Sequence, residues 1–195
     1  MPVVILGMRG NENLYVDAQG NWQGKYIPAF IRRYPFVFAS SDDGSTLTLC
    51  LDEAFTGFNQ EGRGERLFDD EGKPTPYVQN ILTFLQGFQA EFQRTQSYCK
   101  KLQALNLLEA MRAQVTTDSG QLLSLTGFSG VSRTKLKELA SETLAEMVKK
   151  DELELTYLHF HSLQNFDTMK DRLATLPVDT PAIAEKKKGN GSADE

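Results

Sequence analysis

His159 and His161 are the only histidines of the chain, and they stand two residues apart in "LHFHS". On a strand both rings would share one face and could ligate zinc or iron. On a helix they diverge by about 200° and cannot easily share an ion. The surrounding "DELELTYLHFHSLQNFDTMKDRLATL" carries both periods: Leu153, Leu155 and Tyr157 alternate, while Leu155, Leu158, Phe166, Met169 and Leu173 keep helical spacing. The longer run decides for helix, so no metal is expected, and a metal-dependent enzyme at His159 and His161 stands as the alternative. Cys50 and Cys99 belong to no CxxC or Cys/His spacing and read as buried free thiols. There is no G-x-S-x-G elbow. Gly62 and Gly64 form a G-x-G without the third glycine or the strand-turn-helix context of a dinucleotide fingerprint. The turns "DAQGN" and "DDEG" lack the alternating ligands of a calcium loop. No catalytic residue and no cofactor is assigned.

What remains is a convergence of polar groups. Asp52 and Glu53 end an apolar run, Asn59, Gln60 and Glu61 follow, and Arg63, Glu65 and Arg66 come next, with Arg32 and Arg33 upstream. A guanidinium forks onto a carboxylate or phosphate, so these residues are the candidate binding site. The competing reading is that the charges pair with one another and staple the segment to the body. An enzyme acting on an anionic small molecule through Arg63 and Arg66 is a further alternative.

The elements that must hold these residues can be read in order. The early segments "VVILG", "NLYVD" and "NWQGKYI", separated by turn residues, predict a β-meander. In "YIPAFIRRYPFVFA", Pro28 opens a short helix and Pro35 stops it. A strand from Phe36, the turn "SSDDGS" and the alternating "TLTLCLDE" predict a hairpin. Residues 55–73 lose all periodicity, yet Phe55, Phe58 and Phe68 predict a long loop anchored onto the body. Thr75 as N-cap and Pro76 then begin a helix over 76–102, its stripe running through Ile81, Leu85, Phe88, Phe92, Cys99 and Leu102. The 4-3 spacing fits a helix laid across a sheet, with a coiled-coil seam as the other possibility. A second hairpin turns at Asp118-Ser119-Gly120 and faces inward with Met111, Ala113, Val115, Leu123 and Leu125. Ser132 and Ser141 begin further helix, either two pieces or one kinked one. Residues 177–195, rich in Pro, Gly, Ser and Lys, predict a disordered tail whose Lys186, Lys187 and Lys188 serve solvation.

The chain has 195 residues, 21 Lys plus Arg against 26 Asp plus Glu, a net charge of −5, and 40% hydrophobic content. A chain of this length removes roughly 70% of its extended surface from water, so the core needs no disulfide or metal staple. Mild acidity argues against a nucleic-acid partner. The longest apolar run, near residues 3–6, is far short of the ~20 residues of a spanning helix, which excludes a permease. With no cleavable signal visible at "PVVILGM", a reducing cytoplasm is the expected compartment.

At "GNENLYVDAQGNW", "YIPAFIRRYPFVFA", "CLDEAFTGFNQEGRGERLFDDEGKPTPYVQNILTFL", "LNLLEAM", "SLTGFSGVSRTKLKELA" and "ELELTYLHFHSLQNF" the chain resembles the SapC family, named from a bacterial surface-layer gene cluster. The resemblance covers nearly everything from residue 6 to 173. It implies a link to surface-layer protein export and to outer-membrane receptor and flavin-dependent halogenase-like genes, a setting rather than a reaction. It also implies residues ahead of "VVILGMRG", which would make Met1 an internal start and leave a sheet edge uncovered. The combined expectation is one α+β domain over residues 1–176, a mainly antiparallel sheet with one long amphipathic helix and a helical C-terminal part. Its expected role is a non-catalytic cytoplasmic binding or accessory protein of a surface-protein export or nutrient-uptake system. Its expected partner is another protein or a small anionic ligand.

Overall fold

The computed structural model describes residues 1–117 and 120–175. Asp118 and Ser119 of the expected second turn, and the expected tail over 177–195, lie outside the described residues. The chain divides into two compact units.

The first unit comprises Met1–Val4 and Gly24–Lys101. Pro28, with its fixed φ, leads into α1 (Ala29–Arg32), and its carbonyl accepts from the amides of Ile31 and Arg32 at 2.9 Å. Pro35 follows through a cis Tyr34–Pro35 bond. Strands β1 (Phe36–Ser40) and β2 (Leu47–Leu51) then pair antiparallel from Phe36↔Leu51 to Ser40↔Leu47, the hairpin expected from the alternation. Its turn is built around Asp43. That carboxylate accepts from the Ser41 hydroxyl at 2.6 Å, the Ser45 amide at 3.1 Å and the Ser45 hydroxyl, and these bonds, Ser41's first, hold its pKa down to about 2. Gly44, at φ +71, supplies the left-handed step. Residues 55–73 are irregular apart from a Phe68↔Pro74 bridge. The Thr75 hydroxyl donates to the Arg66 carbonyl at 2.6 Å, and the Thr75 carbonyl takes the first helical bond, from the Gln79 amide. Helix α2 (Pro76–Ala104) begins there and, within this unit, buries Val78, Leu85 and Tyr98.

The second unit comprises Ile5–Gln23 and the described residues from Leu102 onward. Its first segment does not form the expected meander. Asn13 Oδ1 accepts from the Tyr15 amide, and Asp17 accepts from the amides of Gln19 and Asn21 and from the Gln23 carboxamide at 2.7 Å. Side chains that satisfy nearby backbone and polar groups compete with a ladder, and only a Val16↔Trp22 bridge forms. Helix α2 ends in a Schellman motif. Asn106 takes a left-handed φ of 53°, the Leu107 amide reaches the Leu102 carbonyl at 2.9 Å, and the Asn106 amide reaches that of Gln103. Leu102 and Leu107, the apolar pair of that motif, are both buried.

Strands β3 (Leu108–Thr116) and β4 (Leu122–Val131) pair antiparallel with a register shift between Met111 and Ala113. Their inner face carries Val115 and Leu123 as expected. It packs with Met8 and Leu14 from the first segment and with Met169 and Leu173 from α6 (Asn165–Thr175). Arg172 of α6 locks that first segment down: its guanidinium lies 4.7 Å over Tyr15 and donates to the carbonyls of Leu14 and Gln23. Between them run α3 (Arg133–Lys137), α4 (Ser141–Lys149) and α5 (Glu152–Ser162), so the stretch after Ser132 is two helices and the ambiguous final piece is helical. Among the described residues the named strands form two two-stranded antiparallel sheets accompanied by helices, an α+β chain. No helix of the described residues is long and apolar enough to cross a membrane.

Met147 and Val148 of α4 are neighbours with opposite fates, 0% and 57% exposed. Met147→Ala leaves a cavity and is expected to cost about 2–5 kcal/mol in chemical denaturation, whereas Val148→Ala stays within about 0.5 kcal/mol.

Candidate functional site

The loop singled out by its charges is held from both ends. At its start, Phe55 meets Tyr34 edge-on at 5.5 Å and Phe58 at 5.3 Å, and Phe58 meets Phe36 at 5.9 Å, so an aromatic chain pins the loop to the first hairpin. Asp52 ties in through Oδ1, which accepts from the Ala54 amide, and Oδ2, which accepts from the Tyr34 hydroxyl at 3.2 Å. Desolvation, then this bond to Asp52, raises the pKa of the Tyr34 hydroxyl. Asn59 folds the next turn around itself: Oδ1 accepts from the amides of Glu61 and Arg63, and Nδ2 donates to the Arg63 carbonyl at 3.1 Å. Its polar atoms are committed to the loop.

Arg63 pairs with Glu61 at 2.8 Å and Arg66 with Asp70 at 2.7 Å, all four side chains lying in solvent. Both loop guanidiniums therefore face carboxylates of their own segment. Glu53, Gln60 and Glu65 lie exposed along it.

Arg32 and Arg33 differ. Arg32 stacks 4.5 Å over Phe84 of α2, and Arg33 lies 4.2 Å over Phe30 and 5.1 Å from Phe88. Neither forms an ion pair among the described residues. Each borders a shallow open groove. One, about 430 Å³, is lined by Arg32, Tyr77, Asn80, Ile81 and Phe84. The other, about 480 Å³, brings Arg33 and Asp52 together among Phe30, Tyr34 and Val37. The rims are aromatic and wet: Phe30 is 63% exposed, Tyr34 54% and Tyr77 41%. The two arginines stand out in the sequence, whereas their aromatic partners do not. The available signal was the i, i+4 spacing of Phe84 and Phe88 and the aromatic flanks of "AFIRRYP".

The histidines part as the helix dictates. His159 turns toward β4, where its Nε2 accepts from the Val131 amide at 3.1 Å, and His161 is exposed. Gly130 makes room, because a Cβ there would collide with Met111 and come within 3.4 Å of the ring nitrogen. With Nε2 accepting, the ring's hydrogen sits on Nδ1, and partial burial lowers the pKa of His159 below 6.5. No group of three His, Cys, Asp or Glu among the described residues could hold a metal ion.

These features define an α+β protein with an exposed arginine–aromatic face. The SapC family model matches residues 1–169, and the chain belongs to that family. Comparison with curated proteins and with solved structures finds no match.

Because the pairs at Arg63 and Arg66 are solvated, Arg63→Ala and Arg66→Ala are each expected to stay within about 1 kcal/mol of wild type in urea titrations; larger losses would make these arginines structural staples. His159 gives a pH test. The unfolded chain protonates it more readily than the folded one, so its contribution is complete above about pH 6.5 and declines as pH falls through the lower folded value. Denaturation midpoints should fall between about pH 7 and 5 in wild type and in His161→Gln. In His159→Gln the fall should be shallower, and an equal slope there would remove His159 as the cause.

Proposed function

We propose that this chain is a non-catalytic, cytoplasmic binding or accessory protein of a bacterial surface-protein export or nutrient-uptake system. Its recognition surface is the face bearing Arg32, Arg33, Phe30, Tyr34 and Tyr77, with the 52–66 loop at its border. The observation that carries the reading is the pair of guanidiniums stacked on aromatic rings beside other exposed rings, with no ion pair among the described residues. Arg, Tyr and Phe are enriched at the centres of protein interfaces, where large rigid area comes with hydrogen-bonding rims. A ligand-transforming site would instead need a deep cavity and converging titratable groups, while these grooves are open. The resemblance to the family supplies the surface-layer setting, and the free thiols Cys50 and Cys99 suit a reducing compartment.

Affinity capture from the native cell with the full chain tests this. Wild type and the Arg63→Ala/Arg66→Ala variant should retain a surface-layer or outer-membrane receptor component, and Arg32→Ala/Arg33→Ala should lose it. Equal capture by all three, or turnover of a small molecule by the purified chain, would overturn the proposal.

A further inference from the structure

We infer that Arg32 and Arg33 bind carboxylates presented by an acidic, apolar segment of a partner protein. The inference rests on the recognition surface proposed above and names the chemistry it takes. Phe84 and Phe88 lie one turn apart on α2, and each has a guanidinium above it. Stacking covers one face of a guanidinium and leaves its rim of N–H donors for a planar acceptor, which a carboxylate matches with two parallel bonds. For three arginines that role is filled internally: Arg9 has Glu12, Arg63 has Glu61 and Arg66 has Asp70, whereas Arg133, 4.0 Å over Phe160, like Arg32 and Arg33 forms no ion pair among the described residues. Arg32 and Arg33 have rings but no ion pair among the described residues, Asp52 sharing the Arg33 groove without pairing to it, so the complement their donors lack is anionic.

The surroundings narrow the anion. The Arg32 groove is floored by Ile81 and Phe84, with the Asn80 carboxamide and Tyr77 beside it, which suits a carboxylate carried among apolar side chains. Asp52 in the Arg33 groove repels any anion, and a compact doubly charged one such as phosphate about twice as strongly as a single carboxylate. The net charge of −5 offers no long-range pull on nucleic acid. Two arginines fall short of the clusters of about 4–8 basic residues that hold a protein on an anionic membrane. The grooves are too open to bury most of a small molecule, as pockets for such ligands do. An extended segment lying across both grooves uses the exposed rings and both cations.

The test is selection of phage-displayed random linear peptides on the full chain, followed by fluorescence anisotropy with the enriched peptides. Expected are sequences pairing Asp or Glu with Phe, Tyr, Trp or Leu, whose affinity falls about tenfold or more with Arg32→Ala or Arg33→Ala. Arg33→Lys should restore only part of the loss, because a lysine keeps the charge without the planar fork. It also serves if the alanine variants melt early in circular dichroism. A neutral or basic consensus whose binding is lost with Phe30→Ala would overturn the carboxylate inference and leave the surface proposal standing. Enriched peptides indifferent to Phe30→Ala and to both arginine variants would overturn both. Absence of enrichment, or Arg32- and Arg33-dependent binding to phosphatidylglycerol vesicles in its place, would also overturn the inference.

Discussion

A ribbon of two strands cannot stand alone in water, because each strand has only one neighbour and one face must still be covered. Both sheets of this protein meet that constraint, and each does so with chain that is not itself strand. The first hairpin is covered at Phe36 by the ring chain of Phe58, Phe55 and Tyr34, so the loop that follows the hairpin is part of its support. The second hairpin is covered at Val115 and Leu123 by Met169 and Leu173 of α6 and by Met8 and Leu14 of the first segment. Arg172 ties that segment to α6. The irregular stretches are consequently as fixed in role as the helices.

This arrangement explains what could be read from the residues and what could not. Hairpins and helices announce themselves locally: Leu47, Leu49 and Leu51 alternate, Pro28 and Pro35 bracket α1, and the stripe of α2 repeats by fours and threes. The first segment misled because its apolar residues alternate like a strand's. Its Asn13 and Asp17 spend their oxygens on amides and carboxamides nearby, and pattern alone does not price that competition. The coverage of one element by another is non-local, so the pairing of Met8 and Leu14 with α6 has no signature in either segment. The divergence of His159 and His161 was legible once helix was preferred. The capture of His159 Nε2 by Val131 was not, since it depends on Gly130 leaving space across the packing of α5 on β4.

The candidate site divides along the same line. The arginines of the loop were conspicuous because they sit among glycines and acids, and that proximity also quenches them. Glu61 is two residues from Arg63, and Asp70 is four from Arg66. A guanidinium with an acid in reach of a short turn finds it, at little entropic cost, in an exposed and weakly stabilising pair. Charge density in sequence is therefore a poor guide to charge available for recognition.

Arg32 and Arg33 show the opposite case. The residues on either side of them are Ile31 and Tyr34, and α1 with the Pro35 stop holds them away from any acid in local sequence. What they meet is the face of α2, where Phe84 and Phe88 can stack against a cation but cannot neutralise it. Stacking fixes the direction of a flexible side chain while leaving its hydrogen-bonding rim in water, so part of the ordering entropy of a future contact is already spent in folding. A cation that is oriented and partly covered by rings but not ion-paired has more to gain from an incoming carboxylate than one already paired. That difference in what remains unsatisfied, rather than the number of charges, is the reason the recognition surface is proposed on the helical face and not on the glycine-rich loop.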